Sequence, residues 1–382
     1  MKLKSAIAAL ALAGLGAGVT VALPASAAPA GPALQQVAKF GHQVTGVTVS
    51  ETGRIFVNFP RWTEDAPVSV AEVMKDGSIK PYPDAGWNSW RNVSGDEINP
   101  ADHFVCVQSV VADGRGSVWV LDPAAPATQG LVPGGPKLVR IDLATNKVAK
   151  VYPFDQSVAI PGSYLNDVRF SSDGKFAYMT DSGQRGALVV LDLASGKAKR
   201  VLDGHPSTQV EKGVQVHTDG KELRYPDGRK VQFSADSIAL APDGWLYWKP
   251  LTGHKLYRIQ TSALASKGLA GQDVAGDVQP FGEVGISDGF WIGDKASKGN
   301  GNLLYVTSPE TNAVTVRDLS QGPSGALRTV VQDARLRWPD TFGQGPDGTI
   351  YVTTSHIQDS AFFKKDAPPS LPTELWKFKP AQ

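Results

Sequence analysis

The chain of 382 residues carries 38 basic and 37 acidic side chains, so no charge excess points to nucleic acid or an anionic membrane surface. A hydrophobic share of 41% can fill a core, and 40 glycines with 27 prolines imply many turns. Cys106 is the single cysteine, which excludes an intrachain disulfide; its context, "HFVCVQSV", reads as a buried strand rather than a nucleophile's setting. At the N-terminus Lys2 and Lys4 precede an apolar run from Ile7 to Leu23, and Ala25-Ser26-Ala27 fits a small-x-small cleavage site. Residues 1–27 are therefore predicted to be a signal peptide and residues 28–382 one exported domain, secreted or periplasmic, with no membrane partner after cleavage.

One phrase then recurs along the chain: an apolar strand, a polar-Gly turn, a second strand. It reads "GVTVSETGRIFVNFP" from Gly46, "QSVVADGRGSVWVLD" from Gln108 and "NDVRFSSDGKFAYMTD" from Asn166. It returns as "DSIALAPDGWLYWKP" from Asp236, in degenerate form from Ser287 to Pro309, and as "DTFGQGPDGTIYVTTS" from Asp340. The turn glycines are Gly53, Gly114, Gly174, Gly244, Gly301 and Gly348. A third strand follows each hairpin, such as "KLVRIDL", "ALVVLDL" and "HKLYRIQ". One hairpin cannot bury its own faces, whereas radial repetition of four-stranded sheets can. The pattern predicts an all-β, six-bladed β-propeller. Gln35–Gly41 is strand-like and precedes the first copy, so it is predicted to close the last blade against "ELWKFKP" near the C-terminus.

Local catalytic motifs give little. "GQGPDG" from Gly343 matches G-x-G-x-x-G, but a strand follows it, not a helix. The six histidines are scattered, and there is no G-x-S-x-G or H-E-x-x-H. Asn92-Val93-Ser94 is a glycosylation sequon of a kind common by chance. The propeller geometry supplies the constellation instead. Innermost strands start at one face of the ring, bringing together Gln108, Asn166, Asp167, Asp236, Asp288 and Asp340. The loops joining second and third strands add Arg61, Trp62, Asp122, Asp181, Ser182, Lys249, Glu310, Asn312 and His356 there. The insertion Asp84–His103, with Trp87 and Trp90, is expected over the same face. Clustered carboxylates call for a cation, a proton or a cationic ligand, although any single strand-start Asp can simply accept backbone N–H bonds.

These residues resemble the yellow/major royal jelly protein family. The likeness rests on "GVTVSETGRIFVNFPRW", "YLNDVRF", "FAYMTDSG", "SIALAPDGWLYWKPLTGHKLYRIQTSAL" and "WPDTFGQGPDGTIYVTTSHIQ", in family order over nearly the whole mature chain. It implies a secreted propeller with a ligand pocket at one tunnel mouth. It also implies a relationship to binders of biogenic amines and to proteins associated with dopachrome conversion. A more distant likeness to gluconolactonase/senescence-marker propellers implies a divalent metal held by a Glu, Asn residues and an Asp. Asn166 and Asp236 match the Asn and Asp, while the first-blade Glu position holds Val44, Thr45 and Gly46.

Three functions follow. The first is a monomeric small-molecule binder, or tautomerase-like enzyme, for amine or catechol-type ligands. Its site would be Asn166, Asp167, Asp236, Asp288, Asp340, Gln108, Trp62, Asp181 and His356, with carboxylates for the ammonium and Trp for the ring. The second is a metal-dependent lactonase or related hydrolase, with Asn166 and Asp236 holding a divalent cation such as Ca²⁺. The third is a protein-interaction platform, which the fold alone equally allows.

Overall fold

The Asp-Gly turns fold as tight hairpins because glycine supplies the left-handed backbone they need, with φ of 70° at Gly174 and 87° at Gly244, whereas Gly301 of the fifth repeat falls in a short 3-10 helix, Asn300–Asn302. The computed structural model describes residues 32–126, 130–293 and 300–380. The segment 1–27, expected to be a signal peptide, and part of the fifth repeat's turn (294–299) lie outside the described residues.

The first strand, β1 (Gln35–Phe40), is set aside for the last sheet. Blade 1 holds β2 (Val47–Val49), β3 (Ile55–Asn58), β4 (Val70–Val73) and β5 (Ile79–Pro81). Blade 2 holds β6 (Ser109–Ala112), β7 (Ser117–Asp122), β8 (Lys137–Asp142) and β9 (Lys147–Pro153). Blade 3 holds β10 (Leu165–Phe170), β11 (Phe176–Asp181), β12 (Ala187–Asp192) and β13 (Ala198–Val201). A small separate hairpin, β14 (His217–Thr218) and β15 (Lys221–Glu222), interrupts the series. Blade 4 holds β16 (Ala235–Leu240), β17 (Trp245–Pro250), β18 (Lys255–Gln260) and β19 (Gln279–Glu283). Blade 5 holds β20 (Phe290–Ile292), β21 (Leu303–Ser308), β22 (Ala313–Asp318) and β23 (Leu327–Gln332). Blade 6 holds β24 (Pro339–Gln344), β25 (Ile350–Thr354) and β26 (Thr373–Phe378), with β1 outermost.

The six-bladed propeller is therefore all-β, as the repeat implies. Its closure joins the two ends of the described chain: Gln35 pairs Lys377 and Phe40 pairs Thr373, antiparallel. Pairing with β1 covers the outer edge of β26 and makes β1 the edge strand of the last blade. Apolar residues alternate along each strand and meet those of the next blade. Trp119, Leu138, Val168 and Met179, for example, fill the seam between blades 2 and 3. Among the described residues, no helix is long and apolar enough to cross a membrane.

Candidate functional site

The innermost strands of blades 3, 4 and 6 share a departure from regular pairing. Register shifts fall between Leu165 and Val168, between Ala235 and Ile238, and between Pro339 and Phe342. Each bulge contains the polar strand start: Asn166-Asp167, Asp236-Ser237 and Asp340-Thr341. A bulge adds a residue and re-aims side chains, which is how consecutive polar residues reach the tunnel rather than alternating into the seams. Threonines of the second strands hold this arrangement. Thr180 donates to Asp236 O at 2.7 Å, and Thr353 donates to Thr45 O, each fastening one blade to the next. Thr307 accepts from the N–H groups of Asp288 (3.1 Å) and Gly289 (2.8 Å).

The result is a polar cluster drawn from several blades, here called the acidic chamber. Asn166 Nδ2 donates to Asp236 Oδ2 at 2.8 Å and to Ser182 Oγ at 2.9 Å. Trp338 Nε1 donates to Asp288 Oδ2 at 2.5 Å. Thr341 Oγ1 donates to Asp340 Oδ1 at 3.0 Å. Asp236 is 4% exposed and Asp340 2%, so these carboxyls lie in a buried polar cluster rather than at an open tunnel mouth. Burial first, then mutual repulsion, pushes the carboxyls of Asp236 and Asp340 well above their ordinary range. Burial also raises Asp288, to about 6, against the opposing Trp338 hydrogen bond. Lys249 is the nearby cation. It is fully buried, its ammonium donates to Pro250 O (2.6 Å) and Leu251 O (3.2 Å), and burial pulls its pKa down to about 7.

Asp167 faces the lower side of this chamber. It accepts from Ser109 Oγ at 2.6 Å and pairs with Arg169 at 2.8 Å. Arg169 also reaches across the tunnel from blade 3 to donate to Phe290 O of blade 5 at 3.0 Å. It thereby separates the acidic chamber from a cavity of about 1330 Å³ at the opposite face, which Phe170, Tyr178, Leu240 and Trp291 help to line. On the upper side, Trp62 Nε1 donates to Tyr164 Oη, whose hydroxyl donates to Gln108 Oε1 at 2.8 Å. Trp62 also packs edge-on against Phe362, centroids 5.7 Å apart. An apolar roof covers this face, formed by Trp62, Trp90, Trp338, Phe363 and segments from nearly every blade. The insertion contributes Trp90, as its position implied, but Trp87 packs on Phe104 in a different cluster.

Two expected site residues belong elsewhere. Asp181 accepts from Tyr164 N (2.8 Å) and Gly183 N (2.9 Å) and pairs with Arg200 at 2.5 Å, so its carboxylate is occupied in fixing a loop. His356 pairs with Glu374 at 3.1 Å and contacts Ser370 O at 3.1 Å, on the outer side of blade 6. Asp122 likewise caps Val105 N and Cys106 N and pairs with buried Lys137. Glu310 receives His217 N at 2.7 Å, in the roof's outer fastening. Cys106 is buried in the roof cluster, with its thiol pushed up to about 12 by burial. Sequence reasoning missed Tyr164, Trp338, Arg169 and Phe362. The Trp338-Pro339-Asp340 string at a strand start was the available signal for one of them.

The donors do not fit a divalent ion as they stand. Asn166 turns its NH₂ toward Asp236, and the first blade offers buried Val44 and Thr45 where a carboxylate would be needed. Among the described residues, no three His, Cys, Asp or Glu side chains are grouped to hold a metal.

The comparisons agree with this fold. A gluconolactonase from Xanthomonas campestris superposes with a TM-score of 0.54 at 13% identity, covering 91% of this chain and 89% of that one. A luciferin-regenerating enzyme superposes at 0.53 with 11% identity, covering 91% and 95%. At such identities the likeness shows the fold alone. Protein yellow of Drosophila subobscura is 25% identical over 226 residues, 55% of this chain and 38% of the relative. Protein yellow of Drosophila melanogaster is 24% identical over 225 residues, 55% and 40%. The chain thus spans less than half the length of these curated relatives. The profile of the major royal jelly protein family matches residues 105–365, which take in the bulged strands, the acidic chamber and most of its roof. The chain belongs to the major royal jelly protein family.

Proposed function

We propose that the chamber binds a small cationic ligand, an amine carrying an aromatic or catechol ring, in a protein that acts after export. One observation carries the reading. Asp236, Asp288 and Asp340 come from three blades, Asp236 and Asp340 buried and Asp288 half-buried, and none of them forms an ion pair with a basic side chain among the described residues. Buried carboxyls in this state are stabilised by a proton or a cation. The aromatic groups above them, Trp62, Tyr164 and Phe362, offer faces for a ring and for cation–π contact. Carboxyls raised toward neutrality can also give and take protons, which is the chemistry a tautomerase-like activity needs.

Calorimetric titration with dopamine tests the reading. Dopamine should bind, and Asp236→Asn should weaken it by about 1.5–3 kcal/mol, the scale of a charge-assisted hydrogen bond. A chelator should leave this binding unchanged. Loss of binding in chelator, restored by Ca²⁺, would favour the metal-dependent lactonase reading. Equal affinity in parent and Asp236→Asn would remove the chamber as the site.

A further inference from the structure

Residues 209–233 leave the ring between blades 3 and 4 and return to it at Ser234. Their root is held by backbone bonds: Glu211 N donates to Thr252 O at 2.9 Å, and Ser234 N to Ser182 O at 3.1 Å. Their tip is the β14–β15 hairpin, closed by Asp219-Gly220 with φ of 53° and 73°. This hairpin pairs with no blade. Side chains from the far side of the mouth fasten it instead. Arg337, which precedes β24, donates to both oxygens of Asp219, at 3.0 and 2.8 Å, while also gripping Asp359. Glu310, between β21 and β22, accepts His217 N at 2.7 Å. Between root and tip, Val216, Leu223 and Val231 face inward and join the apolar cluster that contains Trp338, Phe363 and Cys106. Tyr225 packs on Phe363 at 5.2 Å.

We infer that residues 209–233 form a latched strap over the acidic chamber, which opens by release of Asp219 from Arg337 and admits ligand from the upper face. A segment built into the sheet could not lift without breaking a ladder. This one is tied to blades 5 and 6 at its tip by side chains that are partly exposed, Asp219 at 58% and Arg337 at 25%. Such pairs are weak enough to break often. The lower route is obstructed by Arg169, held at both ends across the tunnel. That the motion admits an amine rests on the reading above; the motion itself does not.

Cys106 offers a readout independent of any ligand, because it is the single cysteine and lies fully buried within the roof. Its labelling by a thiol reagent under native conditions is measured against the rate of global unfolding followed by fluorescence. In the parent, labelling should outpace unfolding. Asp219→Asn should speed it about two- to fivefold, the range for an exposed ion pair. Leu223→Ala, which loosens the apolar grip, should speed it by about tenfold or more. Neither should change the unfolding rate as much. Labelling that keeps pace with global unfolding in the parent and in both variants would overturn the strap. Saturating dopamine should slow labelling. Faster labelling in both variants without any effect of dopamine would keep the strap and remove the amine reading. Protection by dopamine with unchanged labelling in the variants would do the reverse.

Discussion

The indole N–H of Trp338 donates to Asp288 Oδ2 at 2.5 Å, from a backbone held left-handed at φ 51°. A bulky residue in that region is strained, and such strain persists where the surroundings over-determine it. Here the surroundings are a roof that buries Trp338 completely and a carboxylate that accepts its single polar atom. The hydrogen bond lowers the pKa of Asp288 against the larger effect of burial. Trp338→Phe should therefore move Asp288 further up from about 6 and shift the pH midpoint of amine binding in the same direction. It should also cost about 1–3 kcal/mol in stability, from the lost bond and the lost volume. A pH series of calorimetric titrations and a denaturant melt check both parts.

Asp288→Asn separates charge from shape. Burial raises the folded-state pKa of Asp288 to about 6, above an unfolded value of about 4. The protonated form is the one the fold favours. Its stabilising contribution is thus complete below about pH 4 and is lost as the pH rises through about 6. The Asn variant, which can still accept from Trp338, should melt above the parent at pH 8, by on the order of 2 kcal/mol. The advantage should vanish at pH 4. Thermal melts at the two pH values decide it; a lower melting temperature at pH 8 would mean that the fold already compensates the charge.

Lys249 titrates in the opposite sense. Burial lowers its folded-state pKa to about 7, against the raising influence of Asp236 and Asp288. Its contribution is present above the unfolded lysine pKa and is lost as the pH falls through about 7. Lys249→Met should remove that loss and melt higher than the parent at pH 6. It should also let Asp236 and Asp288 keep their protons to higher pH, because the cation that lowers them is gone. The midpoint for dopamine binding should rise by about half a unit to one unit. An unchanged midpoint would show that Lys249 does not act on the carboxyls.

Ring closure is testable without a ligand. Removing residues 33–41 deletes β1 and leaves the outer edge of β26 unpaired. A bare strand edge is a template for association. The truncated protein should be aggregated on size-exclusion chromatography, whereas a soluble form with a cooperative melt would place the closing contacts elsewhere.

The repeat of strand, Asp-Gly turn and strand determined the six blades, since hairpin turns and period-two alternation are local and leave their mark in consecutive residues. The same local pattern marked Asn166, Asp167, Asp236, Asp288 and Asp340 as strand starts. Proximity followed from the ring's symmetry. What each carboxyl does was not legible, because it depends on partners far away in the chain. Asp181 and Asp236 both adjoin apolar strands in the sequence. Arg200 neutralises the first, while the second lies among carboxyls with only buried Lys249 nearby. The bulges that aim these residues inward are register shifts between strands, invisible in either strand alone. The roof was hidden for the same reason. Val216 and Leu223 share one loop while Trp338 and Phe363 come from two others, and their meeting over the chamber is decided by where the closed ring places those loops, an outcome of long-range packing that no stretch of sequence contains.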